Sequence, residues 1–488
     1  MRNSKSQLNF VFALLCAAVT FSLAVCAQAQ TVTFLSDFNG RNGWTPFGSV
    51  VQATDGNFYG TTAFGGLYEE GNVFRMTPDG KIASIYSFCA QANCADGQWP
   101  ESGTVLGSDG NLYGLTFVGG AGINGDGNGT VYRMTLNGKI TTLHIFSTCY
   151  TGCADGVNPT GIVLGSDGNL YGTTGGGGTG GGGTIFQVSA SGGFKTLYSL
   201  CSQANCADGN GLYYPLVEGN DGNFYGTSVG GGSTGGGVFF QITPAGAYTV
   251  LHNFCNYNDV NCSDGAYPYG IVKGADGNFY GTATGVVFKI TPAGEFTKLY
   301  SFNYGGQLGL YYPQLTLASD GNLYGVFGGT WPGTWAGQSL GGLYKVTPGG
   351  VFKPLYAFCQ CGPTNGYAPM DSLFQATDGN LYGTTGYNGY TGTYRFSGFG
   401  TVFKLSTGLS PIVETVPRGA KVGKQVLILG NNLTGATSVL FNGVQADFTV
   451  ESDTYIKATV PTGATTGKVS VLTPTGTLNS NPQFVVTR

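Results

Sequence analysis

The sequence predicts an all-β protein: a seven-bladed β-propeller closed by its N-terminal strand, followed by an immunoglobulin-like β-sandwich. Three observations carry that expectation. First, Asp-Gly-Asn-(Phe/Leu)-Tyr-Gly begins at Asp55, Asp109, Asp167, Asp221, Asp276, Asp320 and Asp378, at intervals of 44 to 58 residues, the period of a stacked repeat. Second, the segments around each copy alternate apolar and polar residues with a period of two, as half-buried strands do. Third, the two ends of the repeated region are complementary.

Within a unit the order of pieces is constant. A short apolar segment ends in Asp, as in Gly161–Asp167. Asp-Gly-Asn then makes a turn, because Gly and Asn tolerate positive φ and Asp bonds its neighbouring backbone. Leu170-Tyr-Gly-Thr-Thr174 typifies the second strand, and a Gly-rich loop of variable length follows. Val73-Phe-Arg-Met76 and Val287-Phe-Lys-Ile290 typify the third strand, which a Thr-Pro-x-Gly turn often ends. Lys81–Phe88 and Glu295–Phe302 typify the fourth. Four short strands in ~50 residues make one propeller blade. One sheet cannot bury both of its faces, so the blades must stack in a ring.

The expected mature protein opens with Thr31–Phe38, which reads as a fourth strand without its first three. The last unit ends after its third strand, Val402–Ser406. The first segment is therefore expected to complete the last blade and remove the open edge. From Ser410 onward the Tyr-Gly repeat and Cys are absent, and short strands such as Gly423–Gly430, Tyr455–Pro461 and Gly467–Leu472 alternate with turns. The expected domains are a signal peptide at 1–29, the propeller at 30–408 and the sandwich at 409–488.

Composition narrows the function. Gly supplies 87 of 488 residues, charged residues only 9%, and His only two positions. Collagen is excluded because Gly lacks a period of three. Metal sites built from several His are excluded by the count. No basic patch is present to neutralise phosphates, so nucleic acid is not an expected partner. Arg2 and Lys5, the apolar run Phe10–Val25 and Ala27-Gln28-Ala29 read as a cleaved export signal; a lipid anchor at Cys26 is the weaker alternative. No transmembrane span is expected, since the run is shorter than the ~20 residues a helix needs. The implied location is secreted, extracellular or cell-surface, with the periplasm as a variant, and the expected state is a monomer.

Ten cysteines outside the signal fall into local pairs: Cys89/Cys94, Cys149/Cys153, Cys201/Cys206, Cys255/Cys262 and Cys359/Cys361. In an exported chain they read as disulfides. Zinc held by pairs of pairs is the rival reading.

The Asp-Gly-Asn-Leu-Tyr-Gly-Thr-Thr core, the Val-Phe-x-Ile-Thr-Pro-x-Gly segment and the Leu-Tyr-Ser-Phe strand resemble the GloVer tandem repeats of exported bacterial proteins. The likeness covers all seven units but implies no particular activity. The tail, with Pro411-Ile-Val, Gly423–Gly430, Asn432–Gly435, Val439–Gly443 and Tyr455–Pro461 in order, resembles an IPT/TIG domain. That resemblance implies an immunoglobulin-like sandwich, read here as a spacer or docking module.

No catalytic set can be assembled. His144 and His252 stand where Tyr86, Tyr198, Tyr300 and Tyr356 stand in other fourth strands, so a half-buried slot filled by Tyr or His is the plain reading. The Asp-Gly-Asn series reads as turn geometry. A second series, Asp96, Asp155, Asp208 and Asp264, follows four of the Cys pairs and reads as Asx-turns. Calcium on that rim, or at Asn124-Gly-Asp126-Gly-Asn128, is the sharper alternative; no other cofactor is expected.

Strand alternation places the Gly-rich and inter-blade loops on one face and the tight turns on the other. Aromatics cluster in the former: Trp44, Trp99, Tyr213, Tyr214, Tyr267, Tyr269, Tyr311, Tyr312 and Tyr367 beside the inter-blade prolines, then Trp331, Trp335, Tyr387, Tyr390 and Tyr394. Such rings suit stacking on sugars or contacting a peptide, and blade-to-blade packing is the alternative. The expected function is an exported non-catalytic binding or adhesion protein with a glycan or protein ligand. The alternatives are a secreted polysaccharide lyase or hydrolase and a structural cell-surface scaffold.

Overall fold

The computed structural model describes residues 30–120, 127–149, 152–256, 262–302, 314–328, 339–359, 366–369, 371–388 and 398–487. The signal segment, the Asn124–Asp126 part of the calcium-like loop, Tyr311, Tyr312, Trp331, Trp335, Cys361, Tyr390 and Tyr394 lie outside them.

Blade one consists of β2 (Val51–Gln52), β3 (Phe58–Thr62), β4 (Asn72–Met76) and β5 (Ile82–Ser87), paired in that order. The same antiparallel order recurs in five further four-stranded sheets, spanning 105–145, 157–199, 217–253, 271–301 and 316–359, numbered blades two to six. First strands of successive blades contact one another, so they line the axis. Every residue of β3 is buried, and β4 exposes only Arg75, in part.

The turn after β2 is built by its own side chains. Asp55 Oδ1 accepts from Asn57 N at 3.1 Å, and Oδ2 accepts from Asn57 Nδ2 and Tyr59 Oη, each at 2.8 Å. Gly56 between them has φ +78°, open to Gly at no steric penalty. This network repeats at Asp109, Asp167, Asp221, Asp276, Asp320 and Asp378. The motif is therefore a turn that anchors a buried tyrosine, as the repetition implied.

The seventh sheet closes the ring. Thr401–Ser406 pairs on one side with Leu381–Asn388 and on the other with β1 (Thr31–Asp37), in the register Thr31↔Ser406 and Phe34↔Phe403. Blade seven also touches blade one at its inner end. Gln52 Oε1 accepts from Thr377 N at 3.0 Å, and Ser49 N donates to Asp371 Oδ2 at 2.6 Å.

Neighbouring blades interlock through a Gly–Pro contact. A Cβ at Gly71 would lie 2.6 Å from Pro100 Cδ, and equivalent approaches link Gly129 to Pro159, Gly237 to Pro268, Gly341 to Pro369 and Gly400 to Pro46. Close packing leaves no volume for an added methyl there. Threonines of the second strand add to the lock: Thr61 Oγ1 donates to Ser102 O and Thr227 Oγ1 to Tyr269 O, at 2.8 and 2.7 Å.

Residues 413–487 form two facing sheets around Val426, Ile428, Phe441, Ile456, Val471 and Phe484. This sandwich is not held away from the ring, as a spacer would be. Val416, Leu427 and Leu429 are buried against Ala53, Tyr59 and Leu106 on the tight-turn face. Asn481 Nδ2 donates to Leu317 O and Gln375 Oε1 at 3.1 and 3.0 Å, and Thr454 Oγ1 donates to Thr54 O. The contacts reach inner-strand ends of blades one, two, six and seven. Among the described residues no helix is long and apolar enough to cross a membrane.

Candidate functional site

Cys89–Cys94, Cys149–Cys153, Cys201–Cys206 and Cys255–Cys262 are disulfide-bonded. Each closes a short loop, and one of the second Asp series follows two residues after its second cysteine. These carboxylates turn back onto their own blades. Asp96 Oδ2 accepts from Tyr86 Oη at 2.7 Å and Ala90 N at 3.0 Å. Asp208 Oδ2 accepts from Tyr198 Oη at 2.9 Å and Ser202 Oγ at 2.7 Å. In the other two units the fourth-strand ring is His: Nε2 of His144 lies 3.2 Å from Asp155 Oδ2, and Nε2 of His252 lies 2.9 Å from Asp264 Oδ2. Tyr and His share the slot because each presents a polar atom at the ring tip.

The slot rings also join blades. His144 stacks on Phe194 with centroids 3.6 Å apart, Tyr198 on Tyr248 at 4.1 Å and Tyr300 on Phe352 at 4.3 Å. Burial holds the His144 imidazole below its ordinary value, against the pull of Asp155. Burial pushes the Asp208 carboxyl up, yet the hydrogen bonds from Ser202 and Tyr198 leave it below the usual carboxylate range. Both histidines and the four aspartates thus serve loop architecture. Cys255, Cys262 and Asp264 bring ligand-type atoms within 4.8 Å of one another, but sulfurs joined in a disulfide are not the thiolates that metals take.

The loop face is assembled as strand alternation predicted. Inter-blade segments bridge to second-to-third loops through Trp44↔Phe64, Gln98↔Val118 and Asn210↔Gly230. The aromatics do not share one repeat position. Trp99 and Tyr267 hold the left-handed residue before the inter-blade proline, at φ +54° and +52°, where Thr45, Asn158 and Ala368 stand in other units. Trp44 and Tyr367 precede that residue. Exposure divides them further: Trp44, Tyr213 and Tyr267 are 40, 50 and 43% exposed, whereas Tyr367 is buried. Trp99, Tyr214, Tyr269 and Tyr387 are half-buried, and Tyr387 stacks on Tyr367 at 5.6 Å. Tyr214 packs edge-on to Tyr269 at 5.9 Å. A continuous array spans blades seven, one and two: Phe399 to Trp44 at 6.0 Å, Trp44 to Phe64 at 5.8 Å, Phe64 to Trp99 at 5.8 Å. The Trp99 Nε1 donates to Glu70 Oε2 at 2.8 Å.

Sequence reasoning passed over three ionisable groups near the axis, because each departs from its repeat instead of following it. Burial pushes the Asp371 carboxyl up to about 6 and raises that of Glu101. Both lie just after the inter-blade proline. At the turn end, burial lowers the Lys273 ammonium to about 8, against the pull of Glu218. The signal was available: the positions of Glu101 and Asp371 hold a charge in one unit alone, and that of Lys273 holds Glu218 in the unit before and no charge in the other five.

Comparison with known proteins places these features in context. The family model described as Gloeobacter/Verrucomicrobia repeat matches residues 17–213, 84–285, 125–333 and 213–439, and the IPT/TIG domain model matches 411–486. No curated protein matches the chain. Among solved structures, virginiamycin B lyase from Staphylococcus aureus is 15% identical, with a TM-score of 0.49 over 77% of this chain and 99% of that one. The extracellular domain of a hybrid two component system from B. thetaiotaomicron is 13% identical, with a TM-score of 0.48 over 94% of this chain and 59% of that one. PorZ, a surface component of the type-IX secretion system of Porphyromonas gingivalis, is 15% identical, with a TM-score of 0.45 over 93% of this chain and 61% of that one.

Proposed function

The chain belongs to the Gloeobacter/Verrucomicrobia repeat family and ends in an IPT/TIG domain, and on that fold we propose an exported, non-catalytic binding or adhesion protein whose ligand, a glycan or a protein, meets the loop face. One observation carries the reading. The large aromatics Trp44, Tyr213 and Tyr267 stay 40 to 50% exposed on that face, while the opposite face is covered by the sandwich. Export is supported by four local disulfides, which persist in oxidising compartments.

A glycan array probed with the native protein and a Trp44→Ala/Tyr213→Ala/Tyr267→Ala variant tests this. Retention lost in the variant, with an unchanged unfolding temperature, is the expected result. Retention unaffected by the three substitutions would refute it.

The second reading, a polysaccharide-cleaving enzyme, is favoured by the raised carboxyls of Asp371 and Glu101 near the axis, since perturbed carboxyls suit acid–base work. Release of reducing ends or unsaturated sugars, abolished by Asp371→Asn, would establish it.

A further inference from the structure

Resting on the loop-face reading above, we infer that the Phe399–Trp44–Phe64–Trp99 array is the ligand site of that face and that its occupant is a polysaccharide without carboxylate or sulfate groups. The array lies where the closing blade meets blades one and two, and it is the longest run of ring contacts among the described loop-face aromatics. Trp44 is 40% and Phe399 39% exposed, and Leu67 and Tyr68 on the Phe64 loop are exposed as well. Packing ring edge to ring face fixes the indoles, and the bond from Trp99 to Glu70 sets one of them in orientation. Ring platforms held this way stack on sugar faces without having to be ordered on binding.

Charge selects among sugars. Glu69 and Glu70 stand on the Phe64 loop, Glu101 follows Trp99 by two residues, and Arg41 is the basic side chain on the described loops of this quadrant. The carboxyl of Glu101 is half-buried, and burial raises it with no hydrogen bond to offset the shift. Such an acceptor is satisfied by a hydroxyl donor and repelled by an anionic residue. A uronate or sulfated chain would bring its charges against these three carboxylates.

A peptide fits less well. Peptides add to sheets through open strand edges. The loops here close on themselves through the bridges Gly65↔Glu70 and Gly119↔Asn128, and the ring's own edge is occupied by Thr31–Asp37.

Affinity electrophoresis in gels containing a neutral glucan or alginate tests the inference, using the full chain and the Trp44→Ala, Glu101→Gln, Tyr213→Ala/Tyr267→Ala and Val351→Ala variants, each checked by thermal unfolding. The neutral glucan should retard the native protein and alginate should not. Trp44→Ala should weaken retardation about tenfold, the value of one stacked ring at ~1.4 kcal/mol. Glu101→Gln should admit alginate, and Val351→Ala, exposed on the opposite, tight-turn face, should behave as native. Equal or stronger retardation by alginate, or a larger loss from Tyr213→Ala/Tyr267→Ala than from Trp44→Ala, would overturn the site while leaving the loop-face reading standing. Absence of retardation in every polysaccharide gel, with retention of a protein ligand instead, would overturn the glycan assignment. Silence toward both would remove the loop-face reading with it.

Discussion

His252 Nε2 lies 2.9 Å from Asp264 Oδ2, the same relation that Tyr198 makes with Asp208 on the neighbouring blade. A catalytic histidine would not be exchangeable with tyrosine at the matching repeat position. Here the exchange has already happened between units, so the ring tip need only reach the carboxylate.

His252→Tyr should therefore fold with nearly native stability, whereas His252→Phe should lose about 1–3 kcal/mol, the effect of leaving a buried acceptor unsatisfied. Chemical denaturation of the two variants checks the contrast. A histidine kept for chemistry would give no rescue by Tyr in a functional assay.

Removing residues 31–37 should lower the unfolding temperature sharply and promote self-association, because Thr401–Ser406 would then present an unpaired edge. Light scattering alongside calorimetry reads both effects. Unchanged unfolding would show that the ring is not held by this strand.

Gly71→Ala should be costly although the position is in a loop. The residue has φ +92°, and the new methyl would lie 2.6 Å from Pro100 Cδ and from Thr62 O. Strain of this kind costs roughly 1–3 kcal/mol. Gly181→Ala also has positive φ, but nothing stands within 4 Å of its Cβ, so it should cost less. The difference between the two reads the close approaches at Gly71, to Pro100 of the next blade and to the carbonyls of Thr62 and Ala63 in its own.

Lys273 makes a signed prediction for pH. Its ammonium falls to about 8 in the folded chain, chiefly through burial. The unfolded state therefore binds more protons between about 8 and 10.4, and the stability this group contributes rises with pH across that window. Lys273→Met should stabilise the protein at pH 7 and flatten that rise. Thermal unfolding of both forms from pH 7 to 10 reads the difference.

Asp371 has the opposite sign. Its carboxyl rises to about 6, again through burial, so its favourable contribution is complete below about 4 and is lost as pH climbs through about 6. Asp371→Asn should remove that loss, provided the amide keeps accepting from Ser49 N.

What recurs was legible in the sequence, and what occurs once was not. The Asp-Gly-Asn turns, the inward tyrosines such as Tyr59 and the closure by Thr31–Asp37 all follow from seven copies of one pattern. The Tyr/His slot and the Asp96 series were each visible, but their pairing was not, because sequence spacing does not say that a strand residue and a loop residue meet. The aromatic ring read along the inter-blade loops dissolved into two positions. Trp99 sits before its proline and Trp44 one residue earlier, and a one-residue offset reverses direction in extended chain. The docked sandwich left no trace, since Leu427 and Leu429 alternate like any strand residues and nothing in their order distinguishes a domain core from a domain interface. Asp371 is an isolated departure from a repeat, and a lone departure reads as noise until its surroundings are known; Lys273 stands at the repeat position of Glu218 in the unit before, and that pairing shows only once the two blades are side by side.

The sandwich packed on the inner-strand ends gives the two sides of the ring different neighbours. A partner approaching those strand ends must first displace Val416, Leu427 and Leu429, whereas one approaching from the other side meets Trp44 and Tyr213 without moving a domain.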